Sequence, residues 1–221
     1  MILPHIALES GKNPQHSIIW LHGLGADGHD FVPIVDELKL PVSVRFIFPH
    51  APKIPVTING GFVMRAWYDI ASAAIDARQD EAGIRASHAA VEALIAQEIS
   101  RGIPAQHIFL AGFSQGGAIA LHTALRLDAP LAGALALSTY LPLAGLAAAE
   151  VSCHTTPVFM AHGRNDPVVP YALGIASRDK LLALQCAVEW HEYAMQHSVC
   201  ADELGDIQAW LTGRLGIGSR K

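Results

Sequence analysis

The run Gly112-Phe113-Ser114-Gln115-Gly116 follows the apolar stretch His107-Ile108-Phe109-Leu110-Ala111 and leads into Gly117-Ala118-Ile119-Ala120. A serine in G-x-S-x-G between a strand and a helix sits on a turn so sharp that positions two before and two after it must lack side chains. Ser114 would then project its hydroxyl from the tip, with a helix N-terminus favouring negative charge beside it. The bland alternative is a glycine-rich helix start capped by a serine. Only partners decide between the two readings.

A serine hydroxyl attacks poorly near neutral pH unless a base takes its proton and a third group orients that base. In the elbow arrangement the order along the chain is serine, acid, histidine. Asp166 follows the apolar run Val158-Phe159-Met160-Ala161 and precedes Pro167, so it stands just past a predicted strand. Taken alone it also reads as a turn or helix-cap aspartate; Asp128 and Glu150 follow no strand. Among the later histidines, His154 and His162 precede the acid and His191 falls inside a predicted strand. His197, in the loop after that strand, is the expected base.

Acyl transfer also needs two N–H donors for the oxyanion. Gln115, next after the serine, supplies one. His22-Gly23-Leu24-Gly25 forms a glycine-rich loop after the predicted strand Ser17–Leu21, and Leu24 is the expected second donor. That loop has a rival reading, because Gly23-Leu24-Gly25-Ala26-Asp27-Gly28 also spells G-x-G-x-x-G. A dinucleotide turn requires an acid about twenty residues on, at the end of the next strand. Arg45-Phe46-Ile47-Phe48-Pro49-His50 contains none, and Gly28-His29-Asp30 is a poor helix start. No cofactor is expected.

Apolar runs positioning these residues are predicted as strands over Ser17–Leu21, Val44–Phe48, His107–Ala111, Gly133–Leu137, Pro157–Ala161 and Ala187–Tyr193. Helices are predicted over Phe31–Leu38, Gly83–Arg101, Gly116–Leu127, Ala172–Leu184 and Cys200–Leu215. The alternation implies an α/β fold, a mostly parallel sheet with helices on both faces, whose chemistry lies beyond the carboxyl ends of the strands. All 221 residues are expected to form one domain. Residues 49–83 break the pattern with Pro, Gly and aromatic residues, and read as an ordered lid or pocket wall that includes Trp67 and Tyr68.

The bulk numbers exclude other classes. A net charge of −5 offers no surface for nucleic acid or anionic membranes, and no apolar run is long enough to span a bilayer. MILPHIALES has no basic leader, so no signal peptide is expected. Three cysteines without a C-x-x-C fit a reduced, cytoplasmic protein. The His191–Cys200 stretch matches no zinc spacing, so no metal is expected.

With these residues assembled, the chain resembles the carboxylesterase/acyl-protein thioesterase family of α/β-hydrolases over nearly its whole length. The likeness rests on Trp20–Gly25, Thr57–Ile70 with Asn59-Gly60-Gly61 and Trp67-Tyr68-Asp69-Ile70, Gly112–Gly117, Leu137-Ser138-Thr139-Tyr140, His162–Asp166 and the loop around His197. It implies Ser114, Asp166 and His197 as triad, Leu24 and Gln115 as oxyanion donors, and hydrolysis of short to medium acyl esters, thioesters or lysophospholipids. Phe113, Trp67 and Arg65 are the expected substrate-binding residues, and a homodimer is a further expectation. Two departures stand out: Gln196 before the base, where the family usually has glycine, and Arg65, where proline is common. The competing function is a non-catalytic binder of an acyl-type ligand; such modules usually lack a triad member, and here all three are present.

Overall fold

The computed structural model describes residues 2–72 and 79–216. Strands β1 (His5–Glu9), β2 (His16–Leu21), β3 (Val44–Pro49), β6 (Ile108–Phe113), β7 (Gly133–Leu137), β8 (Val158–Gly163) and β9 (Val188–Tyr193) form one sheet in the order β1-β3-β2-β6-β7-β8-β9. β1 runs antiparallel to β3, and the other neighbouring pairs are parallel. β4 (Lys53–Val56) and β5 (Phe62–Arg65) make a separate antiparallel hairpin.

Both faces of the sheet are covered, which explains the unbroken apolar character of the central strands. Ile19, Leu21, Leu110, Ala134 and Met160 point to one face, packed by α2 (Glu81–Ser100), α3 (Gln115–Ala124) and α5 (Tyr171–Ala183). Ile18, Trp20, Phe109, Leu135 and Phe159 alternate with them onto the other face. There α1 (Ile34–Glu37) and α6 (Ala201–Arg214) cover the sheet, with Trp210 edge-on to Phe109 and Phe159. The short α4 (Ala147–Glu150) completes the element set. Among the described residues no helix is long and apolar enough to cross a membrane.

The six predicted strands appear within two residues of their expected ends, and the four long helices within three. The expected helix Phe31–Leu38 shrinks to four residues. Residues 29–35 take successive i to i+3 turns instead, and Pro33, lacking an N–H, cannot add to a helical ladder. β1 escaped detection because HIALE is a half-exposed edge strand with only a short apolar alternation. Within the expected loop 49–83 the structure places the β4–β5 hairpin and a 3-10 turn, Thr57–Asn59. Positions 73–78 of that stretch lie outside the described residues. Asp80 anchors its far end, capping α2 through the Gly83 N–H and also accepting the Asp69 N–H.

The first turn of α6 buries Glu203 completely, and burial pushes its carboxyl up to about 8. Between the ordinary carboxyl value near 4.5 and about 8, the folded chain keeps a proton that the unfolded chain has released. Stability from this group is therefore full at low pH and is lost as pH rises through that window, by on the order of a few kcal/mol. Glu203→Gln should match the wild type in thermal midpoint near pH 4 and exceed it increasingly toward pH 8. Parallel midpoint curves for the two proteins would contradict the assignment.

Candidate active site

β6 delivers Ser114 onto a backbone that most residues avoid, φ 54° and ψ −121°, immediately before α3. The turn is possible because its flanks carry no side chains. A Cβ on Gly112 would lie 2.4 Å from the Gly116 carbonyl, and one on Gly116 would lie 2.4 Å from the Leu21 and His22 carbonyl oxygens. The end of β7 braces the strained residue from the other side. Ser114 N–H donates to Leu137 O at 2.8 Å, and Thr139 Oγ1 donates to Ser114 O at 2.7 Å.

The three expected triad residues come together. His197 Nε2 lies 2.9 Å from Ser114 Oγ, and His197 Nδ1 lies 2.7 Å from Asp166 Oδ2. The carboxylate assigns the proton to Nδ1 and leaves the Nε2 lone pair facing the hydroxyl. Asp166 is fixed in turn: its Oδ1 accepts the Val168 and Val169 N–H groups at 2.8 and 2.9 Å. His162, whose value burial lowers, donates from Nε2 to Val169 O at 2.9 Å and so pins the same turn. The His197 loop approaches β8 closely, since a Cβ on Gly163 would sit 2.4 Å from Gln196 O. Gln196 itself is exposed, so its extra bulk beside the base points outward.

Leu24, Ser114 and Gln115 all line one cavity of about 430 Å³. The loop carrying Leu24 packs directly on the serine; a Cβ on Gly23 would lie 3.6 Å from Ser114 Cβ. Among the described residues neither the Leu24 nor the Gln115 amide N–H is spent on a protein acceptor. The cavity wall is apolar, with Ile58 and Ile70 on one side and Val168 and Leu173 on the other. Tyr68 and Tyr140 join their hydroxyls at 2.7 Å along it, and burial raises the Tyr68 phenol well above its usual value. Tyr68 belongs to the stretch expected to form a pocket wall, whereas Tyr140 and the Pro167–Pro170 run directly after Asp166 were not assigned to the cavity.

The three expected substrate-binding residues stand elsewhere. Trp67 is buried behind the serine turn, its indole N–H donating to His22 O at 2.9 Å. Arg65 turns from the cavity, its guanidinium donating to Ala51 O at 2.8 Å. Phe113 flanks the base, with its ring 4.7 Å from the His197 ring and 5.8 Å from Phe31. None of the three is among the residues that line this cavity.

The Gly23–Gly28 loop leads into successive turns rather than a helix, so it offers no helix N-terminus for a pyrophosphate. Asp27, His29 and His50 bring possible ligand atoms within 4.8 Å of one another beside this loop. His50 is already engaged: its Nδ1 accepts the Gly28 N–H, while Asp27 Oδ1 accepts the His29 N–H. Accepting at Nδ1 puts the His50 proton on Nε2, leaving a neutral ring no free lone pair for a metal.

The sequence pattern of the phospholipase/carboxylesterase family matches residues 4–214. Acyl-protein thioesterase 1 of Neurospora crassa is 43% identical over 212 residues, 90% of this chain and 86% of that protein. Acyl-protein thioesterase 1 of Cryptococcus neoformans var. neoformans is 38% identical over 230 residues, covering 95% and 96% of the two chains. Among solved structures, Arabidopsis thaliana SOBER1 superposes with a TM-score of 0.86 at 32% identity, over 90% of this chain and 99% of its own. Zea mays acyl-protein thioesterase 2 gives 0.84 at 30% identity, over 96% and 99%. This chain therefore belongs to the phospholipase/carboxylesterase family, on an α/β-hydrolase fold.

Proposed function

We propose that this hydrolase of esterase/thioesterase type cleaves carboxylic esters and acyl thioesters of short to medium chain, lysophospholipids included, through an acyl-enzyme on Ser114. The observation that carries the reading is the single imidazole of His197 spanning Ser114 Oγ at 2.9 Å and the buried Asp166 carboxylate at 2.7 Å. The names of the thioesterase relatives support a thioester as well as an ester leaving group.

In the first half-reaction His197 Nε2 accepts the Ser114 proton as Oγ attacks the acyl carbonyl carbon. The carbonyl oxygen becomes an anion facing the Leu24 and Gln115 amides, donors aimed at charge that develops only in the transition state. Asp166 stabilises the imidazolium without taking its proton. Collapse of the tetrahedral species breaks the bond to the alcohol or thiol, which leaves with the proton from His197. In the second half, His197 takes a proton from water as that water attacks the acyl-enzyme. The acid departs and Ser114 Oγ regains its proton. The apolar cavity wall suits the acyl chain, and the hairpin residue Ile58 and Val168 flank its mouth.

A p-nitrophenyl ester series from acetate to palmitate, with Ser114→Ala alongside, tests this. Wild-type hydrolysis should be fastest among the short and medium chains, and the variant should lose about 10⁴-fold or more in kcat. Equal rates in the two proteins would remove Ser114 from the chemistry. Asp166→Asn should lower kcat by roughly 10³- to 10⁴-fold with KM little changed, since the carboxylate orients the base and does not bind substrate.

A further inference from the structure

The segment Arg65–Tyr68, where β5 leaves the hairpin, touches both sides of the oxyanion site without lining the cavity through Trp67. Gly25 N–H donates to Arg65 O at 2.9 Å, one residue beyond Leu24. The Trp67 indole N–H donates to His22 O at 2.9 Å, two residues before Leu24. On the other side the Gln115 carboxamide grips the same segment twice. Its Oε1 accepts the Trp67 N–H at 2.9 Å, and its Nε2 donates to Tyr68 O at 2.7 Å. Ser87 Oγ donates to Trp67 O from α2, fixing the segment to the helix layer.

The loop side is closed by a further set of bonds. His22 is buried, which lowers its value and keeps it neutral. Its Nε2 accepts the Ala51 N–H at 3.1 Å, so its proton is on Nδ1, which donates to Gly23 O at 2.7 Å. Arg65 ties Ala51 O back to the hairpin. His22 and Gly25, on either side of Leu24, and the Gln115 side chain are thus all bonded to one four-residue stretch.

We propose that Trp67 is the positioning residue of the oxyanion site, its indole and backbone N–H groups setting the spacing between the Leu24 and Gln115 amides. The inference rests on the acyl-transfer reading above. Two loops from distant parts of the chain must present N–H groups to one oxygen, and displacements well under an ångström weaken such a pair. The two loops touch directly at Gly23 and Gly116, yet neither donor amide bonds to the opposite loop. Trp67 is hydrogen-bonded to both loops and can fix their spacing as a common third body. Its indole packs obliquely on the His22 ring, 5.3 Å between centroids, so the two bonds also share a rigid core.

Trp67→Phe keeps an aromatic ring and removes the bond to His22 O; Gln115→Met keeps the length of the side chain and removes both bonds to the segment. We would measure kcat and KM on p-nitrophenyl butyrate, inhibition by a trifluoromethyl ketone, whose serine adduct carries an oxyanion, and the thermal midpoint. In each variant kcat should fall about tenfold with KM within about twofold, and ketone affinity should weaken by a matching factor. The fraction of Ser114 labelled by a fluorophosphonate at completion should stay at the wild-type level. Unchanged kcat, or a loss of activity that tracks the unfolded fraction while ketone affinity holds, would overturn the proposal. Should Trp67→Phe fail to fold, Gln115→Met decides alone. Failure of the underlying reading is separate: Ser114 would then resist the fluorophosphonate in the wild type.

Discussion

The strained turn at Ser114 is the constraint on which the rest of the architecture depends. A non-glycine residue at positive φ is costly by on the order of 1–3 kcal/mol and persists only when its surroundings over-determine it. Here the surroundings are the two carbonyl and hydroxyl contacts from the end of β7 and the backbone-to-backbone approach of Gly112, Gly116 and β2. Those contacts need β2, β6 and β7 to lie side by side and parallel, which in turn needs the helices that cover both faces. The loop carrying Leu24 follows directly from the same packing, since it is the continuation of β2 beyond the point where Gly116 meets it. Asp166 and His197 arrive from β8 and β9, one and two strands farther along the sheet than β7.

Much of this was legible in the chain itself, and the reasons differ by element. The central strands were clear because burial on both faces makes them uniformly apolar. Residue type and position at strand ends singled out Ser114, Asp166, His197 and the Gly23–Leu24 loop, which the structure brings together. What could not be read was where side chains behind the site would find partners. Trp67 and Arg65 looked like a pocket wall because an aromatic and a cation in a long irregular stretch suggest ligand contact. Their bonds run to His22, Gln115 and Ala51, and the Trp67 partners lie 45 and 48 residues away in sequence. No local pattern carries such a pairing. The β4–β5 hairpin was hidden for another reason: Pro55 interrupts its alternation, although Gly60 and Gly61 mark its turn at positive φ.

The polar interior near the site is built from neutral groups that each bond backbone. His22 holds the oxyanion loop, His162 holds the acid turn, and the Gln115 amide holds the hairpin. Asp166 is the buried charge among them, and it is answered by two N–H groups and the imidazole. That economy matters because a buried charge without partners is costly.

His197 follows the outermost strand. β9 has a neighbour on one side only, and the loop bearing His197 leaves from its end. Edge elements open at lower free energy than central ones, as local excursions that leave the remaining sheet intact. Ser114, by contrast, rises from β6 near the middle of the sheet. Fraying at that margin would separate imidazole from hydroxyl while the core stays folded, so catalytic competence is a more fragile property of this molecule than its fold, and the margin is where temperature or denaturant would first be felt.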